Sequence, residues 1–263
     1  EGKVMVWDDP RMPTLSGMRR RGYPAAGLRD FSERVGVSKA NSEVEEEYLQ
    51  SCVRDNLNLT TNRVMAVFNP VKVVLTNYDG SEVLKVENNP NEDPLTFREV
   101  TFGKQLYIDA SDFSLVHPPK YYRLKPDGYV RLKGAYIIHC DDVLLDDNGE
   151  VKELHCSVVA NSKSGEDTSG VKVKGVIQWV DAATCVDATV RKLQSLLNNA
   201  VDGETDFNLR FNEDSMKTVT AKVERSLLSA KVEDKFQFMR VGYYVLDKDT
   251  TPDNLVFNEI VGL

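Results

Sequence analysis

From about residue 63 to Leu263 the sequence alternates short β-branched and aromatic segments with turn residues, and this rhythm constrains the fold more than any other feature. MAVFNPVKVVLTNY, SEVLKVENN and TFREVTFGKQLYIDA suit a pleated surface, and Asn-Pro and Asp-Gly pairs break them. YVRLKGAYIIHCDDVLLDDNGEVKELHCSVVA then reads as long strands joined at Asn148-Gly149, a strong hairpin signal. VKVKGVIQWV, FQFMRVGYYVLD and NLVFNEIVGL extend the pattern, SKSGEDTSG (162–170) has loop composition, and ATVRKLQSLLNN fits either helix or strand. Many short strands with regular turns argue for barrels or sandwiches over a parallel α/β sheet.

Residues 1 to about 62 follow another rule. Pro24 suits a first helical turn, AAGLRDFSERV spaces its apolar residues helically, and Gly36 fits a C-terminal cap. Ser42 with Glu45 makes a capping-box signal ahead of VEEEYLQSCVRDNL, where Val44, Tyr48, Leu49, Cys52 and Val53 share one face. With 41% hydrophobic and 28% charged residues the chain can pack cores and remain soluble. No apolar run approaches the roughly 18 residues that span a bilayer, and there is no secretory signal. The expectation is a cytoplasmic protein without a membrane partner. A start at Glu1 rather than Met suggests a fragment or a processed product. Cys52, Cys140, Cys156 and Cys185 form no C-x-x-C pair and read as reduced thiols. His139-Cys140 and His155-Cys156 would split across the two faces of a sheet, which argues against a shared zinc ion.

KYYRLKPDGYVRLK, residues 120–133, is out of keeping with a chain of net charge −8. Lys120, Arg123, Lys125, Arg131 and Lys133 gather around Tyr121, Tyr122 and Tyr129. If Pro126-Asp127-Gly128 were a three-residue hairpin loop, Arg123 would face Arg131 across the strands. Tyr122, Leu124, Val130 and Leu132 would then turn toward a core. Opposed arginines destabilise a strand pair, so interleaved cations and rings favour an anionic, stackable ligand over a merely solvated face. Single-stranded RNA has both properties. Exposed charges beyond about 8 Å are screened at physiological salt, so the overall acidity does not oppose a local basic site.

VWDDPRMPTLSGMRRRGYPAAGLRDF at the N-terminus resembles glutaminyl-tRNA synthetase, a class I aminoacyl-tRNA synthetase. The likeness continues through NRVMAVFNPVKVVLTNY, NNPNEDP, YRLKPDGYVRLKGAY, KVKGVIQWV, FQFMRVGYYVLD and VFNEIVGL, and so covers nearly the whole chain. The glutamyl-tRNA synthetases of archaea and eukaryotes share the architecture; PRMPTLSGMRRRG and VFNEIVGL are closer to the glutaminyl branch. The resemblance implies a mainly β fold with two anticodon-binding β-barrels after a small helical subdomain. It divides the chain into a helical connection at 1–62, a proximal barrel from 63–117 plus 201–263, and a distal barrel at 118–200. It also implies a partner, the anticodon loop of tRNA-Gln, and no DNA.

Carried over position by position, Arg63 matches the arginine that reads the central uridine, with Gln237 and Arg240 converging on the same base. Arg123 matches the reader of the third base, guanine, while Arg131 and Lys133 fall where the first base is contacted. Asn58 and Asn91 match positions near the remodelled loop, and Lys120 belongs to the same basic segment. Tyr122 stands where bacterial members often carry lysine, and Lys133 replaces a frequent arginine; a lysine cannot make a planar two-pronged contact. No catalytic residue is expected here, because the HIGH-type and KMSKS-type motifs are absent from this sequence. ATP and magnesium would belong to the parent ligase and its N-terminal catalytic domain, and this stretch alone should not ligate. Arg19, Arg20 and Arg21 suit either tRNA backbone or ion pairs, the WDDP aspartates should brace a turn, and Trp7 and Trp179 should pack. The equivalent region of a glutamyl-tRNA synthetase, a stand-alone RNA-binding barrel and a module facing an acidic protein are the other readings.

Overall fold

The computed structural model describes residues 3–37, 43–198, 206 and 210–263, and it opens with three helices whose ends are set by their flanking residues. Helix α1 (Leu15–Arg21) starts where the Thr14 hydroxyl accepts the Gly17 N–H at 3.0 Å. It stops at Gly22, whose φ of 95° is cheap only without a Cβ. Helix α2 (Ala25–Val35) follows Pro24 and ends at Gly36, as its sequence predicts. Helix α3 (Glu46–Thr60) differs from expectation. Glu45 precedes the helix and makes no side-chain cap, whereas a capping box would need it inside the first turn; Ser42 lies outside the described residues. Glu46 and Glu47 supply negative charge at that end instead.

The chain divides into two compact units, the first formed by 1–63, 188–220 and 230–263 and the second by 64–187 and 221–229. In the first, Val53 and Leu57 of α3 and Tyr23 pack against Tyr243, Val245, Ile260 and Val261. Those four come from the strands Gly242–Leu246 and Leu255–Gly262, which lie side by side. Lys235–Phe238 pairs with the free side of Gly242–Leu246, and Asn62–Val64 lies beyond it. Ala188–Arg191 runs parallel to Leu255–Asn258 on the other side. ATVRKLQSLLNN is therefore strand as far as Leu193.

In the second unit a sheet of seven strands runs Val176–Ile177, Tyr129–Leu132, Ile137–Leu145, Val151–Val158, Pro70–Leu75, Gln105–Asp109, Val180–Asp181. Its two edge strands are neighbours in sequence, separated only by Gln178 and the fully buried Trp179, so the sheet curls until it nearly closes. Closure of a sheet this way removes most of its unpaired edge. VKVKGVIQWV thus supplies two short closing strands and not one long one. The fold is mainly β with two barrel-like sheets, as the sequence implies. The Asn148-Gly149 hairpin forms, with Gly149 at φ 82° and Ile137–Leu145 paired to Val151–Val158.

The hairpin expected at Pro126-Asp127-Gly128 does not form. Tyr129–Leu132 pairs with Ile137–His139 on one side, and its other edge is taken by Gly175 and Ile177, whose carbonyls accept the N–H groups of Arg131 and Lys133 at 3.1 and 2.9 Å. Residues 121–125 pass over Gly175 so closely that a Cβ there would lie 1.5 Å from the Tyr122 carbonyl oxygen. Leu124, Val130 and Leu132 are buried as expected, but Tyr122 is exposed, and Arg123 has no arginine opposite it. Trp7 also departs from expectation: it is 82% exposed, while Trp179 is core.

A separate hairpin in this unit joins Glu82–Glu87 to Phe97–Phe102. Its Leu84, Val86, Val100 and Phe102 face inward. Glu82 accepts hydrogen bonds from Tyr136 at 2.5 Å, Lys163 at 2.8 Å and Tyr78 at 3.1 Å, and Phe102 lies edge-on to Trp179 at 5.2 Å.

Candidate nucleic-acid interface

In the first unit, four side chains from distant parts of the chain form one hydrogen-bonded group. Arg63 leaves the strand after α3, and its Nη2 donates to Oδ1 of Asn58, in the last turn of that helix, at 3.2 Å. Tyr243 Oη donates to the same Asn58 oxygen at 3.4 Å and accepts from Gln237 Nε2 at 3.0 Å. Gln237 and Tyr243 face each other across paired strands, which is why the contact needs no long side chain. Burial pushes the Tyr243 hydroxyl pKa up, against the pull of Arg63 and Arg54, so the phenol stays neutral and can both donate and accept. Tyr243 and Gln237 are buried, Arg63 is half-buried, and Asn58 is exposed. Arg240 is exposed in the turn between the two strands, at φ 62°. The group combines a half-buried guanidinium with a buried amide–phenol pair, and Arg63 is suited to an unpaired base whose edge offers acceptors.

In the second unit the expected basic residues spread along a loop and a strand. Asp112, almost fully buried, lies 3.4 Å from Arg123 Nε, and the Ser111 carbonyl accepts from Arg123 Nη1 at 2.7 Å. The loop is held to the 3-10 turn Ala110–Asp112 by Leu124, whose N–H donates to the Asp112 carbonyl at 3.0 Å. Arg123 is thus oriented from one edge while its side chain remains 42% exposed. Arg131 is more enclosed: it donates to the Ser162 carbonyl at 2.8 Å and pairs with Asp167. Lys133 follows in the turn, and the Trp179 indole donates to its carbonyl at 3.0 Å. Lys120 is exposed at φ 64°. Asn91 is exposed in the loop of the Glu82–Phe102 hairpin, where its N–H donates to Asn89 Oδ1 at 2.9 Å. Tyr121 stacks on His117 at 6.1 Å, and Lys174 sits 5.2 Å from the Tyr122 ring.

Sequence reasoning missed Tyr243 and Asp112. Tyr243 had a signal, because a polar Gln237 before a short turn needs a buried partner on the returning strand. Asp112 had none short of the fold. The arginines of the N-terminal run divide as ion pairs: Arg20 meets Asp247, Asp249 and Asp8, and Arg21 donates to the Ile260 carbonyl, while Arg19 is exposed. Asp9 braces its turn by accepting from Met5 and Arg11. Cys140 and Cys156 are buried partners across two strands, whereas His139 and His155 point to the other face, bound to Asp127, Asp141 and Glu153. Among the described residues no group of three His, Cys, Asp or Glu side chains is placed to hold a metal, and no helix is long and apolar enough to cross a membrane.

Residues 61–159 and 176–247 match two models of the class I (E and Q) tRNA synthetase anti-codon binding domain, and residues 1–59 match that of the catalytic domain. The chain is 46% identical to the glutamine–tRNA ligase of Clostridium perfringens, 44% to that of Rhodopirellula baltica and 41% to that of Bradyrhizobium diazoefficiens. Each alignment covers 100% of this chain and 49%, 45% and 48% of the relative, so the chain spans about half the length of the curated relatives it matches. The chain belongs to the class I (E and Q) tRNA synthetase family, and most of it consists of that family's anticodon-binding domains.

Proposed function

We propose that this chain selects tRNA-Gln by reading splayed anticodon bases, as the anticodon-binding part of a cytoplasmic glutamine–tRNA ligase. The observation that carries the reading is the Arg63–Asn58–Tyr243–Gln237 group, in which Arg63, Gln237 and Tyr243 lie in segments matched to anticodon binding and Asn58 ends the helix before them. Arg63, Gln237 and Arg240 read the central uridine, Arg123 the third base, and Arg131 with Lys133 the first. Asn58, Asn91 and Lys120 hold the loop around them. A wrong base leaves buried donors unpaired, which is how such a pocket discriminates. The ligation itself, with ATP and magnesium, takes place in the catalytic portion of the longer protein, and no chemical step falls to a side chain described here.

The test is titration with two anticodon stem-loops at one fixed salt concentration, carrying CUG for glutamine or CUC for glutamate. Preference for CUG, lost in Arg123→Ala, supports the reading. Preference for CUC moves the chain to the glutamyl branch. Equal binding of both, at the level of an unrelated loop, refutes the base assignments.

A further inference from the structure

Phe97 stands at one end of the Glu82–Phe102 hairpin and is 55% exposed. Because strand side chains alternate, Arg98, Val100 and Phe102 turn inward while Phe97 shares the outward face with Glu99, Lys85 and Glu87. A single exposed phenylalanine is ordinary. This one lines a groove of about 440 Å³ together with Lys85, Arg131 and Lys133, a volume within the range of small-ligand sites.

The two walls of that groove are held at a fixed separation. Gly134, at φ 68°, lies so near Val86 that a Cβ would come within 2.8 Å of its methyl, so the Lys133–Gly134 turn and the hairpin touch with nothing between them. The Glu82 bonds to Tyr136 and Lys163 pin the same two pieces, and Trp179 fixes the Lys133 carbonyl. Three cations and one carboxylate, Glu87, line the groove in a chain whose net charge is −8. Arg131 has a partner in Asp167, which leaves Lys85 and Lys133 as the flexible point charges. A flat apolar face beside phosphate-seeking ammonium groups matches an unpaired nucleotide. An acidic peptide would use the cations but not the ring.

We propose that Phe97 is the stacking platform for one unpaired nucleotide of the bound RNA, whose phosphate Lys85 neutralises beside the base-reading Lys133. This assignment rests on the anticodon-reading function and adds to it a wall of the site contributed by the hairpin. An aromatic–base stack is lost on truncation to alanine at a cost of about five- to a hundredfold in affinity.

The experiment is a cycle between Phe97→Ala and stem-loops made abasic at one loop position at a time, read as dissociation constants at fixed salt. The fold of the variant is checked by circular dichroism, and Phe97→Trp and Phe97→Leu serve as companions. The expected result is a loss in Phe97→Ala that Trp restores and Leu does not. It should vanish for the RNA lacking one particular base, since the ring then has no base to stack on and its removal costs nothing. Unchanged binding in Phe97→Ala, while Arg123→Ala still loses CUG preference, overturns the platform and leaves the anticodon reading intact. An equal loss with every abasic RNA also overturns it. If the unsubstituted protein binds the stem-loop no better than an unrelated loop, both fall. If Lys85→Ala abolishes binding of polyglutamate while Phe97→Ala leaves RNA binding unchanged, the groove belongs to an acidic peptide instead.

Discussion

Asp247 sits at the centre of the ion-pair network in the first unit, and replacing it by asparagine is the sharpest test of what holds that unit together. Its side chain is fully buried and accepts from Arg20 Nε at 2.9 Å and Nη2 at 3.0 Å, from Arg191 at 3.3 Å, from Asn258 at 2.5 Å and from the Asp249 N–H at 2.9 Å. Burial pushes its pKa up, but the Arg20 bonds and the Asp249 amide more than reverse this and bring it to about 2, against 3.8 for a free carboxyl. A depression of that size favours the charged, folded form by about 2 kcal/mol. Arg20 keeps Asp8 and Asp249 in the variant, so the loss falls at the lower end of the ~3–5 kcal/mol that breaking a buried pair costs. Urea unfolding at pH 7, followed by amide exchange in Leu255–Gly262, should show Asp247→Asn destabilised by about 2–4 kcal/mol with an unchanged slope. The folded-state pKa is depressed, so the wild-type advantage is complete above about 3.8 and is lost as pH falls through about 2. The gap should therefore stay flat from pH 7 to about 4.5. A loss under 1 kcal/mol, or a gap that closes between pH 7 and 5, would refute the reasoning.

Three further outcomes follow from particular contacts. Tyr243→Phe removes the acceptor of a buried Gln237 amide and should cost about 1–3 kcal/mol in urea unfolding. It should also narrow the preference for a central uridine in stem-loop titrations. Asp112→Asn frees Arg123 from its anchor, so CUG over CUC selectivity should fall by more than overall affinity does, measured by the same titrations. For His139, burial lowers the pKa but the bonds to Asp141 and Asp127 outweigh it, so the folded value is raised. The stabilisation is thus full below about 6.5 and disappears as pH rises through the raised value. His139→Gln should accordingly lose stability relative to wild type at about pH 6 and much less at about pH 9.

Local chemistry was legible wherever a local partner decided the outcome. Asn148-Gly149 made its hairpin because both strands lie within a few residues of the turn, and Pro24 and Gly36 bound their helix. Pro126-Asp127-Gly128 carried an equally good turn signal, but the edge of Tyr129–Leu132 went to Gly175–Ile177, more than forty residues away. No window of sequence reveals that competition. Leu124 stayed buried because its burial was set by hydrophobicity and not by register. The nearness of Arg63 to Gln237 could not be read from pattern at all; it came from the family resemblance, and the sheet order explains it by placing Asn62–Val64 next to Lys235–Phe238. Tyr243 and Asp112 escaped notice because each acts as a partner to a more conspicuous side chain.

The way the chain crosses between its two units, at 63/64, 187/188, 220/221 and 229/230, fixes an order of events during synthesis. Every strand of the second unit's seven-stranded sheet lies between residues 64 and 187, so that sheet has all its material once Asp187 has emerged. The first unit has to wait. Tyr23, Val53 and Leu57 are made early, yet the strands that cover them, Gly242–Leu246 and Leu255–Gly262, come last. At about 5–20 residues per second the helices spend about 10–40 seconds with their apolar face uncovered. A chain released by premature termination between residues 187 and 255 would carry all strands of the second sheet joined to a sticky, unfinished first unit, which makes such products natural clients of chaperones and proteases.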